Sequence, residues 1–157
     1  MSDTTKEHVP TIVYVEDNAG DALLVEEALR EQGHVAELVI IDNGENALRY
    51  FTVKATARDL PPPHCILLDS YLPVVAGVEL LRFLCSSPIY DNTPVYLFSN
   101  AEESEFLRGQ SLVPKENIVI KSQDWNGMLD LADRLMQSAA AKLIDSPACG
   151  PKHKGAR

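Results

Sequence analysis

Cys65-Ile66-Leu67-Leu68-Asp69 decides the fold. Four apolar residues stop on a carboxylate, and a loop with a proline follows, Ser70-Tyr71-Leu72-Pro73. A short apolar run bounded in this way reads as a strand covered on both faces. A carboxylate at the mouth of such a strand is costly unless nearby charges offset its desolvation. Three more runs end on polar chemistry. Thr11-Ile12-Val13-Tyr14-Val15 stops at Glu16 and Asp17, Val95-Tyr96-Leu97-Phe98 at Ser99, and Ile118-Val119-Ile120 at Lys121. If the four strands are parallel, three acids, one hydroxyl and one ammonium meet at one rim.

Helical patterns lie between the strands. Asn18 is placed to cap a first helix, whose apolar stripe is Leu24, Val25, Ala28 and Leu29 and whose stop is Gly33. Residues 35–41 alternate, which suits an edge strand, and Asp42-Asn43-Gly44 opens a second helix over about 44–53. Pro61-Pro62-Pro63 makes the next connection an extended surface segment. A third helix covers residues 77–85. A fourth begins at 101 and is expected to be short, because Gly109 and Pro114 interrupt it. Residues 117–121 form the last strand. Asp124 caps a final helix with Met128, Ala132, Leu135 and Met136 on its inner face. Five strand–helix alternations predict an open parallel sheet with helices on both faces. The functional crevice of such a sheet lies past the carboxyl ends of its strands, where Glu16, Asp17, Asp69, Ser99 and Lys121 all fall.

The 157 residues divide into a disordered lead (1–10), one domain (11–140) and a disordered tail (141–157). A net charge of −9 argues against a nucleic-acid surface. No apolar run approaches the roughly twenty residues that a membrane span needs, and the polar start, Met1 to His8, does not read as a secretory leader. Cys65, Cys85 and Cys149 have no metal or pairing spacing; the first two read as small buried hydrophobes, consistent with a cytoplasmic protein. His8, His34, His64 and His153 are scattered and read as surface residues, and Trp125 as a packing residue.

Three clustered carboxylates repel one another and call for a cation. Mg²⁺ suits them, because it takes oxygen ligands and keeps several waters. An arriving anion would then meet the Lys121 ammonium and the Ser99 hydroxyl. An aspartate can attack phosphorus to form an acyl phosphate. Asp69 therefore reads as a nucleophile for a phosphoryl group, with Ser99 and Lys121 as the groups that sense it.

With these residues in order, the chain resembles the receiver domain of two-component response regulators. The matching pieces are Val15-Glu16-Asp17-Asn18, Leu67-Leu68-Asp69, Leu72-Pro73 with Gly77, Leu97-Phe98-Ser99-Asn100 and Val119-Ile120-Lys121. The resemblance implies a flavodoxin-like, doubly wound (βα)5 fold with strand order 2-1-3-4-5. It implies that Asp69 accepts phosphate from a sensor histidine kinase. Asp17, Asp69 and the backbone carbonyl of Tyr71 would ligate Mg²⁺, with Glu16 acting through water, and Ser99 and Lys121 would contact the phosphoryl oxygens. The segment from Val15 to Ala22 is similar to small stand-alone regulators associated with bacterial phytochromes, which makes a phytochrome-like kinase the expected partner. Ser122 replaces the proline usual after the lysine, and Ile118 replaces an aromatic that swings inward in relatives, so a rotating-aromatic switch is not expected. The Tyr71 ring is expected to shield the acyl phosphate from water.

With no effector domain expected after the last helix, output falls to a downstream protein, a phosphotransfer protein, or a homodimer through the face of helix four, strand five and helix five. The alternative is a receiver-like protein-binding module that acts without phosphorylation. A phosphatase with an aspartate nucleophile ranks lower, because Tyr71 stands where such enzymes carry a second acid. The protein is therefore not expected to be an enzyme.

Overall fold

The computed structural model describes residues 9–57, 61–72, 77–109, 113–121 and 124–145. Strands β1 (Thr11–Val15), β2 (Glu37–Ile41), β3 (Cys65–Asp69), β4 (Val95–Ser99) and β5 (Ile118–Ile120) alternate with helices α1 (Ala19–Glu31), α2 (Gly44–Thr56), α3 (Gly77–Cys85), α4 (Ala101–Arg108) and α5 (Trp125–Asp145). All strand pairings are parallel, in the order β2-β1-β3-β4-β5. This is the flavodoxin-like order that the resemblance implies.

The pleat sorts the apolar runs into two cores. Ile12, Tyr14, Cys65, Leu67, Tyr96 and Phe98 pack with α1 and α5. Val13, Val15, Ile66, Leu68, Val95 and Leu97 pack with α2, α3 and Leu107 of α4. Burying one such Val or Leu contributes roughly 2 kcal/mol. Helices α1, α2 and α4 each start on an asparagine whose side chain accepts a backbone N–H three residues on: Asn18 from Asp21 (3.0 Å), Asn43 from Asn46 (2.7 Å) and Asn100 from Glu103 (2.8 Å). Each cap follows a strand end, so the chain turns directly from rim to helix. Gly33 ends α1 at φ +75°, a left-handed conformation that glycine reaches without a Cβ penalty.

Several boundaries differ from the sequence reading. β2 starts at Glu37, and Val35 is exposed. α2 continues to Thr56, whose hydroxyl bonds back to the Thr52 carbonyl at 3.1 Å. α5 continues to Asp145, so the tail boundary at 141 falls inside a helix; the alanines at 139–141 are strong helix formers and carry it on after the apolar period fades. At the other end Pro10, just before β1, is buried and its carbonyl accepts the Glu37 N–H at 2.8 Å. Residues 1–8 and 146–157, and with them Cys149, lie outside the described residues, as do Pro73 and Ser122.

Cys65 is buried, and desolvation pushes its thiol up to about 12, whereas Cys85 is exposed rather than in the core. His34 and His64 are half-buried rather than free on the surface. His34 pairs with Asp133 of α5 at 2.7 Å, and the His64 ring accepts the Thr11 N–H at 3.0 Å. Trp125 packs against the α1–α5 core and donates to Glu31 at 3.1 Å. Among the described residues no helix is long and apolar enough to cross a membrane.

Candidate functional site

The sheet ladder does not stop with the last strand residues. Glu16 N–H donates to the Ile41 carbonyl (2.9 Å), Ser70 N–H to Phe98 (3.0 Å) and Lys121 N–H to Ser99 (2.7 Å). Main-chain hydrogen bonds thus hold Glu16, Lys121 and the residue after Asp69 at the carboxyl edge of the sheet. The cleft above that edge is lined by Glu16, Asp17, Asp21, Asp69, Tyr71 and Lys121, with Asn18, Ser70, Asn100 and Glu103 completing the wall.

Lys121 Nζ is the positive centre. It lies 3.3 Å from Asp69 Oδ2, 3.5 Å from Glu16 Oε1 and 3.6 Å from Asp21 Oδ2. Burial alone would pull the ammonium pKa down, but the facing carboxylates, led by Asp69 and Glu16, outweigh it and hold the value above its usual range. The other oxygen of Asp69, Oδ1, accepts the Tyr71 N–H at 3.1 Å. Glu16 is 2 % exposed and accepts from Tyr14 OH (2.7 Å) and from Asn18 N–H (3.3 Å). Its carboxyl is pushed up to about 7: burial is the largest cause, the Tyr14 hydrogen bond opposes it, and Asp69 adds to it.

Ligand oxygens of Glu16, Asp17 and Asp69 all lie within 4.8 Å of one another, with Asp17 exposed and the other two buried. Three carboxylates with no sulfur or nitrogen donor make a site for a hard divalent cation. A cation there would relieve the repulsion that Lys121 balances in part.

Five of the six expected site residues, Glu16, Asp17, Asp69, Tyr71 and Lys121, therefore share one cleft. Tyr71 is 78 % exposed at its edge. Ser99 does not line the cleft wall. Its side chain is 1 % exposed, and its Oγ has no hydrogen-bond partner among the described residues. Such a group carries a desolvation penalty with nothing to offset it.

Three further residues escaped the sequence reading. Asp21 lies three residues past the Asn18 cap, where an acid suits the helix dipole, and its place in the sequence does not show it as a partner of Lys121. Glu103 read as an ordinary residue of the fourth helix, yet it reaches the cleft and accepts from Ser70 Oγ at 2.7 Å. Tyr14 gave one usable signal: a phenol inside a buried strand needs a partner, and Glu16 stands two residues on, on the same face.

No protein-family model matches the chain. The response regulator Rcp1 of Synechocystis sp. (strain ATCC 27184 / PCC 6803 / Kazusa) is 30 % identical over 94 residues, which cover 60 % of this chain and 64 % of Rcp1. The match thus spans slightly less than two-thirds of that relative. The phosphorylated cyanobacterial phytochrome response regulator RcpA superposes with a TM-score of 0.70 at 26 % identity, covering 86 % of this chain and 96 % of RcpA. The bacteriophytochrome response regulator AtBRR does so at 0.67 and 28 %, covering 83 % and 94 %. The Mn²⁺-bound form of Rcp1 gives 0.65 and 26 %, covering 80 % and 90 %. With the flavodoxin-like sheet order and the acid cluster at its carboxyl edge, this chain is similar in sequence and fold to response-regulator receivers, the regulators of bacterial phytochromes among them.

Proposed function

We propose that this chain is a phosphoryl-accepting switch, with Asp69 as the acceptor. The observation that carries this reading is the Asp69 carboxylate itself, buried at a strand end, 3.3 Å from the Lys121 ammonium and grouped with Glu16 and Asp17. The donor is a phosphohistidine of a sensor kinase. An Asp69 oxygen attacks phosphorus, the new O–P bond forms as the P–N bond breaks, and the imidazole leaves with the electron pair and takes up a proton. Lys121 neutralises charge on the phosphoryl oxygens, and Ser99 supplies a hydroxyl donor that has no partner among the described residues. A divalent ion held by Asp17, Asp69 and the Tyr71 carbonyl, with Glu16 through water, would screen the repulsion between acids and phosphoryl group. Mg²⁺ is our choice of ion. The kinship with phytochrome response regulators, one of them in a phosphorylated form, supports a phytochrome-like kinase as partner.

The acyl phosphate adds a charge of about −1.5 to −2 beside α4 and β5. Phe106 of α4 (65 % exposed) and Ile120 of β5 (41 %) supply apolar surface there for a downstream protein, a phosphotransfer protein or a second copy of the chain. Tyr71, exposed at the cleft edge, acts as a cover over the phosphorylated aspartate; Tyr71→Ala should shorten the phosphoryl lifetime, and an unchanged half-life removes that role.

The deciding experiment uses acetyl phosphate, and then a histidine kinase, with Mg²⁺. Labelling should occur in the wild type and vanish in Asp69→Ala and on chelation. Persistent labelling of Asp69→Ala excludes Asp69 as acceptor. Ile118 favours a second reading, since it is an aliphatic residue buried in the core where a moving aromatic would stand. Under that reading the chain docks a partner in one state. Beryllofluoride with Mg²⁺ separates the two, because a pure docking module gives no spectral or oligomeric response.

A further inference from the structure

Tyr14 stands out in β1. The other four residues, Thr11, Ile12, Val13 and Val15, are all β-branched, yet this phenol is buried at 0 % exposure in the middle of the sheet. The pleat puts residues 14 and 16 on one face, and Tyr14 OH donates to Glu16 Oε1 at 2.7 Å. The second oxygen, Oε2, is taken by the Asn18 N–H at 3.3 Å. Glu16 is therefore held at both oxygens by groups of its own strand and the turn after it. Beside Tyr14, with ring centroids 6.3 Å apart, lies Phe98 of β4. The Lys121 ammonium sits 5.5 Å from the Phe98 centroid. Two neighbouring aromatic rings thus support the acid and the ammonium.

We infer that Tyr14 is a positioning residue for the cation site, its hydroxyl sharing Glu16 Oε1 with Lys121 and so holding the carboxylate beside Asp17 and Asp69. The second donor to Oε1 is Lys121 Nζ, at 3.5 Å, longer than the 2.7 Å of the phenol. Without the phenol hydroxyl, Glu16 turns to that ammonium and draws it from Asp69, where it now stands at 3.3 Å. The acid cluster then loses one correctly aimed oxygen. Partners that orient ligand carboxylates in this way commonly change metal affinity by about tenfold or more.

This inference rests on the acid cluster being a divalent-cation site, and the experiment keeps the two apart. Mg²⁺ and Mn²⁺ are titrated calorimetrically into the full chain at one pH. Wild-type binding that weakens in Asp17→Asn and Asp69→Asn supports the site; no wild-type binding, or equal binding by those variants, removes the site and the inference with it. Given the site, Tyr14→Phe keeps the ring and its packing but should bind about tenfold more weakly. In a Glu16→Gln background the same substitution should add no further loss, because the group it orients is already changed. Wild-type affinity in Tyr14→Phe, or an equal loss in both backgrounds, overturns the positioning role while leaving the cation site standing.

Discussion

Ser70 Oγ donates to Glu103 Oε1 at 2.7 Å, joining the residue after Asp69 to the first turn of α4. Glu103 is tied again through its backbone, whose N–H bonds to Asn100 Oδ1 at 2.8 Å, and Asn100 follows Ser99 directly. A short connected path thus runs from β3 to the helix beside it. α4 has eight residues and buries only Ser104 and Leu107, so few apolar contacts hold it. Ser70→Ala should cost about 1 kcal/mol, the usual net worth of one such bond. Amide exchange in the first turn of α4 should rise several-fold while β3 stays protected. Unchanged protection of α4 would mean that the asparagine cap alone anchors it.

Gly77 has no room for a side chain. A Cβ there would lie 2.3 Å from the Asp69 carbonyl oxygen and 2.9 Å from Ser70 Cα, so α3 and the end of β3 meet backbone to backbone. Gly77→Ala must push one of them away, at a cost of about 2 kcal/mol or more and with reduced phosphorylation of Asp69. Gly109→Ala is the control, since its Cβ meets only the Phe106 carbonyl oxygen at 3.4 Å. Equal denaturation midpoints for the two variants would contradict the close approach.

The strand ends were legible because each apolar run stops on a polar residue, and the parallel topology then carried Glu16, Asp69, Ser99 and Lys121 to one edge. Side-chain reach was not legible in the same way. Asp21 and Glu103 both sit in the first turns of helices, where acids are common for the helix dipole alone, and nothing in the linear order shows them turning into the cleft. The pairing of His34 with Asp133, 99 positions apart, depends on how α1 meets α5. Helix α5 was read short because alanines carry no apolar period, although they extend a helix well.

Glu16 makes the metal-free protein sensitive to pH. Its carboxyl holds a proton up to about 7 in the folded state, against 4.5 ordinarily. Between those values the native state binds more protons than the unfolded state, so stability falls as pH rises. The penalty is absent below about 4.5 and complete above about 7. Urea denaturation in chelator should show a decline of about 1–3 kcal/mol across this window. Glu16→Gln should flatten the decline, and Mg²⁺ at pH 8 should reverse it in the wild type. A wild-type slope retained in Glu16→Gln would assign the effect to another group.

Ser99 offers a test in which stability and signalling should part. Its hydroxyl is buried with no partner among the described residues, so Ser99→Ala removes a desolvated polar group and breaks none of the hydrogen bonds found among them. The variant should be as stable as wild type or more stable by up to about 1 kcal/mol, unlike a substitution that removes a working bond. The phosphoryl-acceptor reading requires the opposite for response: the alanine protein should bind beryllofluoride and Mg²⁺ more weakly, with a smaller change in Trp125 fluorescence. A loss of more than about 1.5 kcal/mol would mean that the hydroxyl already has a partner in the resting protein. A wild-type fluorescence response would leave Lys121 as the group that senses the phosphoryl oxygens.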